Sequence, residues 1–447
     1  MFDIDLKGVR NKYEYEELVK VFLKPSEYRI TVSSGREPDK NQLKRELYSS
    51  LSEWTGKRHE WGILTGVRPV KLAGELYEKQ GGRQEAVDAL VNEYYLSAEK
   101  AELIVSVYEY QRNVLKKPEE GSIGVYVGIP FCPTRCLYCS FTSYQAADSK
   151  ILEYLAALFK EIEFAGHEMK EAGMKPETVY IGGGTPTVLC AADLERLLDH
   201  IKKHLDLSGV REFTVEAGRP DTVTPEKLKI IKGAGVTRIS INPQSMHSRT
   251  LGHIGRAHTP EDAKEAFAAA RNEGIGAINM DVIAGLPEEG EAEFADTVNQ
   301  VIGLGADNVT VHTLAVKRAS RLIDIDSGYH YKRGEDVREM LAAAREALSG
   351  AGYAPYYLYR QKHMAGGYEN IGWCKPGTAG IYNIRIMEER QTIAAFGAGG
   401  ITKVYYSGEN RLQRIPNVSN YEIYTARIDE MVLRKREKLF VKGEEQC

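Results

Sequence analysis

Tyr126-Val127-Gly128-Ile129-Pro130-Phe131-Cys132-Pro133-Thr134-Arg135-Cys136-Leu137-Tyr138-Cys139-Ser140-Phe141 is the stretch on which the reading of this chain turns. It starts as a short apolar strand and breaks at a proline into a loop carrying three of the chain's six cysteines. Spacings of four and then three residues let one loop wrap Cys132, Cys136 and Cys139 around a single metal centre. Thiolates are soft ligands, so zinc and iron–sulfur are the candidates. A structural zinc takes a fourth ligand, usually from a second Cys or His pair. No such pair is present, because Cys190, Cys374 and Cys447 are isolated. Three cysteines on a cubane leave one iron without a protein ligand, and an open iron can bind and activate a small molecule.

Downstream of the loop, short apolar strands alternate with longer amphipathic helices. Strands are predicted over 124–130, 178–182, 212–216, 238–241, 278–283 and 308–314, with helices over 151–172, 192–205, 225–234, 260–273 and 291–304. Six β/α units imply a parallel sheet, closed or nearly closed into a barrel, with its chemistry at the C-terminal strand ends. Those ends carry the polar and glycine motifs. Cys132 follows the first strand, Gly182-Gly183-Gly184-Thr185 the second, Glu216 ends the third, and Asn242 and Gln244 follow the fourth. In a barrel they converge on one mouth although they lie far apart along the chain.

The flanks read differently. A length of 447 residues is room for two or three domains. Residues 1–120 form an N-terminal mixed α/β domain, with a β-like stretch at 27–32 and helical patterns from 40 to 116, interrupted by a buried turn at 61–69. Lys117-Pro118-Glu119-Glu120-Gly121 is a linker into the barrel, residues 121–320. Residues 321–447 form a C-terminal α+β accessory domain leaning on the mouth, with a helix at 335–350, an aromatic strand at 353–359, an apolar run at 391–396 and a charged helix at 421–439. A hydrophobic fraction of 43% with 27% charged residues is that of a globular protein. A net charge of −4 leaves no electrostatic footprint for nucleic acid or an anionic membrane. No apolar run reaches the roughly 18 residues of an integral membrane segment, and the acidic start lacks a signal peptide's order, so a cytoplasmic location is expected.

Cys-x3-Cys-x2-Cys with Tyr138 before the last cysteine resembles the signature of radical S-adenosylmethionine (SAM) enzymes. That resemblance implies a [4Fe–4S] cluster whose open iron chelates the methionyl amino and carboxylate groups. Electron transfer from the reduced cluster then cleaves the sulfonium to a hydrogen-abstracting 5′-deoxyadenosyl radical. The wider set narrows the family: Tyr126-x-x-Ile-Pro-Phe-Cys132, Gly182-Gly-Gly-Thr-Pro-Thr187, Gln244-Ser245, Leu251-x-x-Ile-Gly-Arg-Ala-His258 and Asp281-Val-Ile-Ala-Gly-Leu-Pro287. Over residues 123–320 these resemble the oxygen-independent coproporphyrinogen III oxidase (coproporphyrinogen dehydrogenase) family. The segments 359–364 and 372–377 and the long N-terminal extension look most like its HemZ branch.

The resemblance implies a radical SAM partial (β/α)6 barrel and a set of cofactor contacts. Gly183 and Gly184 give the methionyl group close access to backbone, and Thr185 adds a hydroxyl. Glu216 and Asp281 accept hydrogen bonds around the ribose, Gln244 and Arg256 surround the methionyl and ribose portions, and Tyr126 and Tyr138 lie beside the cofactor. Asp281 is a charge in a strand interior, which needs either the cofactor or an internal cation as partner. The implied reaction is oxidative decarboxylation of two propionates of coproporphyrinogen III, giving protoporphyrinogen IX, with flavodoxin or ferredoxin as reductant. Arg249, Lys317, Arg318 and Arg321 are candidate partners for the substrate's carboxylates.

Two departures concern the substrate side. Phe141 stands where the family's decarboxylases carry a fourth cysteine, and Gly128 where they carry a histidine. Phenylalanine at the first of these positions is typical of the related haem-chaperone branch. That branch's His-Asn-x-x-Tyr-Trp motif falls near 382–387, where Asn383 alone survives. A haem chaperone and a different radical SAM modification of a tetrapyrrole are therefore the alternatives, with His363 or Cys374 as candidate haem ligands.

Overall fold

The computed structural model describes residues 1–440 except Thr142, Arg318, Ser327 and His363, and except the side chains of His330 and Tyr331. The expectations placed on Arg318, His363 and Cys447 thus lie outside the described residues. Among the described residues there are thirteen strands: β1 (Phe2–Asp5), β2 (Tyr28–Thr31), β3 (Ser122–Ile129), β4 (Lys175–Gly183), β5 (Glu212–Ala217), β6 (Arg238–Ile241), β7 (Ala277–Ala284), β8 (Asn308–Thr313), β9 (Ala354–Arg360), β10 (Glu369–Cys374), β11 (Ile393–Phe396), β12 (Ile401–Tyr406) and β13 (Arg411–Pro416).

β3 to β8 are consecutive parallel neighbours, as the β/α alternation predicts. The helices between them, Asp148–Glu171, Ala191–His204, Pro225–Gly233, Pro260–Asn272 and Glu291–Leu304, match the predicted stretches within a few residues. Each lays an apolar stripe on the sheet; Ile151, Leu155, Leu158 and Ile162 of the first are buried. The outward strand residues Val125, Val127, Val179, Ile181, Met280 and Val282 complete this core.

The sheet does not close on itself. It has eleven strands in the order β13-β12-β11-β3-β4-β5-β6-β7-β8-β10-β9. The C-terminal segment occupies both edges: β10 and β9 extend β8 in antiparallel fashion, while β11 joins β3 in parallel and leads to the β12–β13 hairpin. Because β3 and β8 each find a partner there, neither needs the other, and the barrel stays open.

The start of the chain has its own small core, in which Leu18, Val19 and Leu51 are fully buried under the parallel β1–β2 pair. The helices Pro69–Gln80, Arg83–Asn92 and Ala98–Val114 instead bury Ala73, Leu90 and Ile104 in the main core. The turn at 61–69 joins the two regions: Trp61 is buried, and the carbonyl of Val67 accepts the Arg360 N–H at 2.8 Å.

The N-terminal end of the barrel is stopped by the helix Ile381–Glu388. The Glu212 carboxylate accepts the Ile381 and Tyr382 N–H groups at 2.8 and 3.0 Å, a favourable placement of an anion at a helix N-terminus. Arg385 pairs with Glu177 at 2.9 and 3.0 Å. The predicted helix 421–439 is broken into Tyr421–Ala426, Ile428–Lys435 and a π turn, Arg436–Phe440. The break lets Tyr424 and Lys435, about 16 Å apart along a straight helix, both reach the buried Glu161 carboxylate. Tyr424 donates to it and Lys435 pairs with it, each at 2.6 Å.

Candidate active site

The cysteine loop leaves β3 at Pro130 and is tied back by a bridge between Phe131 and Tyr144, with the Cys132 N–H donating to the Tyr144 carbonyl at 3.0 Å. Phe131 and Tyr144 both pack edge-on against Tyr421, with ring centroids 5.2 and 4.8 Å away. Further along, the Leu137 N–H donates to the Ile254 carbonyl at 2.9 Å, and the Leu137 carbonyl accepts from Leu322 at 3.1 Å. The three thiols are unbridged. Burial pushes the Cys132 and Cys139 thiols up, as does the nearby charge of Cys136. Arg219 opposes that repulsion, with its guanidinium 3.9 Å from the Cys136 sulfur.

The glycine turn lies against this loop. Thr185 places its hydroxyl 3.4 Å from the Cys132 sulfur, and the Gly184 and Thr185 N–H groups donate to the Ile129 and Phe131 carbonyls at 2.8 and 2.7 Å. A Cβ on Gly184 would stand 2.5 Å from the Phe131 carbonyl oxygen, so only glycine permits this approach. Gly183 has φ +111, where side chains are rarely tolerated. Its N–H donates to Glu216 at 3.2 Å, and Tyr180 donates to the same carboxylate. Burial and then the nearby charge of Asp281 push the Glu216 carboxyl up to about 7.

On the opposite wall a polar ladder crosses the inward faces of β6, β7 and β8. The Asn279 amide donates to Ser240 and Asp281, both at 2.7 Å. His312 stands 3.4 Å from Asp281, and the Tyr359 hydroxyl 3.4 Å from the other imidazole nitrogen. Burial works to raise the Asp281 pKa, but His312 and the surrounding hydrogen bonds outweigh it and hold the group down. The charge in the strand interior therefore has an internal partner, in addition to any ligand. Gln244, at φ +68, donates its N–H to the Asp281 carbonyl at 2.9 Å. Arg256 donates to the carbonyls of Gly218 and Asn242 at 3.0 and 2.6 Å and reaches the Tyr138 hydroxyl at 3.3 Å. Tyr126 stacks on Tyr180 at 6.2 Å, and Tyr180 on Tyr382 at 4.5 Å, so an aromatic stack runs down to the helix that stops the barrel.

The site residues drawn from the sequence thus meet at one end of the barrel. Others do not. Cys374 pairs with Asn308 at the opposite end and hydrogen-bonds Tyr110 at 3.1 Å, and Asn383 lies in the stopping helix bonded to Tyr356 at 2.9 Å. Cys190 is exposed beside Asp193. Arg249 is spent on Glu288 at 2.9 Å and Arg321 is exposed, whereas Lys317 is half-buried and senses the charge of Cys139. Tyr180, Arg219, His312 and Tyr359 escaped the sequence reading. For His312 alternation was the signal, one that Arg219, in the loop after β5, lacked: Asn308, Thr310 and His312, like Asn279 and Asp281, occupy every second position of a strand, with Val309 and Val311 or Met280 between them. That pattern marks a polar lumen.

The radical SAM superfamily pattern matches residues 126–301. Oxygen-independent coproporphyrinogen-III oxidase-like protein HemZ of Bacillus subtilis is 37% identical over 417 residues, covering 91% of this chain and 83% of that one. The chain belongs to this family. Within the oxygen-independent coproporphyrinogen III oxidase-like family it sits on the HemZ branch, and it is also similar to the haem chaperone HemW of Mycobacterium tuberculosis, 34% identical over 58% of this chain and 64% of that one. The fold is that of coproporphyrinogen III oxidase from Escherichia coli, a radical SAM enzyme, with a TM-score of 0.54, 19% identity and 73% of each chain covered.

Radical SAM proteins use a [4Fe–4S] cluster and S-adenosylmethionine, and the residues present fit both. Three unbridged thiols on one loop, near enough to feel one another's charge, are a cluster's donor set. Among the described residues no three His, Cys, Asp or Glu side chains are gathered tightly enough for a single ion. The cradle at Gly183 and Gly184 admits a ligand's polar end. The Gln244 side-chain amide oxygen and the Arg256 Nε are buried without a partner, the state expected of groups awaiting a polar ligand.

Proposed function

We propose that the chain is a cytoplasmic radical SAM oxidoreductase that oxidatively decarboxylates two propionates of coproporphyrinogen III to vinyl groups, giving protoporphyrinogen IX. The observation that carries this reading is the polar lumen walled by Tyr126, Tyr180, Glu216, Asp281 and His312, which opens onto the cysteine loop. The likeness along most of the chain to a coproporphyrinogen-III oxidase-like protein supplies the substrate class.

Cys132, Cys136 and Cys139 would hold the cluster. Gly183, Gly184 and Thr185 would receive the methionyl end, Gln244 and Arg256 its carboxylate and neighbouring groups, and Glu216 and Asp281 the ribose, with Tyr126 and Tyr138 alongside. Bound together, the cluster and S-adenosylmethionine supply an organic radical that removes a hydrogen atom from the substrate. The chain's own part is to orient and to exclude water. Tyr382 and its helix stop the lumen below, and the Tyr421 clamp fixes the loop above. Lys317 is the cation best placed for a propionate, since it lies near Cys139 and burial disfavours its charge when unpaired. The substrate loses a hydrogen atom from the propionate β-carbon, then carbon dioxide, and one electron passes to an acceptor. Flavodoxin or ferredoxin would reduce the cluster.

A haem chaperone is the second reading, favoured by Phe141, which is 65% exposed at the edge of the cysteine loop. Anaerobically reconstituted, reduced protein incubated with coproporphyrinogen III separates the two. Carbon dioxide and a divinyl product are expected. Cofactor cleavage without either rejects the decarboxylase, and stoichiometric haem uptake moves the assignment to the chaperone.

A further inference from the structure

A second cavity lies outside the barrel, between the N-terminal region and the turn that joins β9 to β10, with a volume of about 980 Å3. It opens at the same end of the sheet as the cysteine loop. Thr313 at the end of β8 bonds Asn370 and Glu369, and Arg360 at the end of β9 is paired with Glu369 in register.

Eight lysines and arginines line this cleft against four carboxylates. The carboxylates are already engaged. Glu17 pairs with Lys20 and Lys362, Glu335 with Arg338 and Glu60 with Lys100, while Glu27 accepts the Lys24 backbone N–H. Lys24, Lys57 and Arg58 have no side-chain partner among the described residues and stand exposed. Arg360 is buried and bonded to carbonyls of Leu64 and Gly367, with its guanidinium 4.6 Å above the Trp61 ring; the carboxylate whose charge it feels, Glu369, is already paired with Lys100. The unpartnered cations Lys24, Lys57 and Arg58 come from two separate parts of the chain on the cleft wall, unlike the single nest that holds a phosphate. Aromatic surface lies between them in Tyr368 and in Trp54, a tryptophan 51% exposed.

We propose that this cleft is a second binding site, distinct from the lumen, for a flat ring system bearing several carboxylates around its edge. Resting on the function proposed above, the ligand is the tetrapyrrole itself, held by its propionates. The volume lies within the range of sites for molecules of that class. Arginine and lysine at several points of the wall match carboxylates at several points of a ring. Because the cations are exposed, the attraction must weaken with salt.

The test uses the full-length holoprotein and coproporphyrin III, the stable oxidised ring with four carboxylates, and follows quenching of tryptophan emission. Substituting W54F should reduce the quenching, with Trp61 on the same wall supplying the remainder. The triple variant K24A/K57A/R58A should bind at least 10-fold more weakly while cleaving S-adenosylmethionine at the rate of the unaltered protein, and K57R/R58K should retain affinity. The tetramethyl ester of the porphyrin should not compete. For the unaltered protein, affinity should fall as salt rises. Unchanged affinity in the triple variant, salt-independent binding, or no coproporphyrin quenching of the unaltered protein would each overturn the site. Turnover is scored separately: cleft binding without carbon dioxide release from coproporphyrinogen III leaves the cleft assigned and removes the decarboxylation.

Discussion

Cys136 is the buried member of the cysteine triad and sits beside Arg219 and Arg256. Replacing it with serine exchanges a soft ligand for a hard one. C136S is expected to lose the cluster's visible absorption and all cleavage of S-adenosylmethionine; cleavage that persists would contradict the assignment of the loop. Glu216 offers a test by pH. Its carboxyl is raised to about 7, so the folded chain holds this proton more tightly than the unfolded chain does. The stability it contributes is complete below the ordinary value of 4.5 and fades as pH rises through about 7. Ribose hydroxyls donate more strongly to an ionised acceptor, so the binding of S-adenosylmethionine should tighten over that same rise. Calorimetric titration of the reconstituted protein checks this, and E216Q should flatten the profile. Of these two residues, the cysteine was legible in the sequence through spacing. The raised carboxyl was not, because its cause is burial of Glu216 inside the fold together with the charge of Asp281, which outweigh the hydrogen bonds from Tyr180 and Gly183; these groups come from three different strands, β4, β5 and β7.

The glycine turn after β4 and the two C-terminal helices show what sequence says about elements. Gly184 has an ordinary φ, yet its contact with the Phe131 carbonyl forbids a side chain. G184A should therefore displace the cysteine loop and abolish cofactor cleavage without unfolding the chain, as judged by circular dichroism. The helix Ile428–Lys435 is held by a pair buried on both sides, with Lys435 at 1% and Glu161 at 0% exposure. Removing the lysine leaves an uncompensated charge inside the protein, costing about 3–5 kcal/mol. Chemical denaturation of K435A should show a loss of that size, and K435A/E161Q should recover part of it. Apolar periodicity located this helical region, but its break at Arg427 depends on where Glu161 stands in another helix.

For the whole molecule, the decisive feature is that both edges of the six-strand parallel unit are covered by the last third of the chain. Unpaired edges of β3 and β8 would present free N–H and C=O groups to any neighbouring chain. A fragment comprising residues 121–320, the barrel as the sequence delimits it, is expected to aggregate, whereas residues 61–440 should remain monomeric on size-exclusion chromatography. A well-behaved 121–320 fragment would show that the edges are dispensable. Sequence reading found the aromatic strand β9 and the apolar run of β11 from composition. It passed over β10, β12 and β13: β10 is buried on both faces and so shows no alternation, while β12 and β13 bury only Thr402, Val404 and Ile415, too few to make a pattern.

Local chemistry and period were enough to determine the cysteine loop at the end of the first barrel strand, the six β/α units, their helices within a few residues, and the family, since spacing and hydrophobic repeat are properties of contiguous chain. Tertiary structure alone decided the rest. It left the barrel open, gave Asp281 an imidazole partner, stopped the lumen with Tyr382, and formed the cationic cleft beside the mouth. Each of these depends on groups far apart in sequence meeting in space, where burial and proximity, rather than residue type, set charge and access.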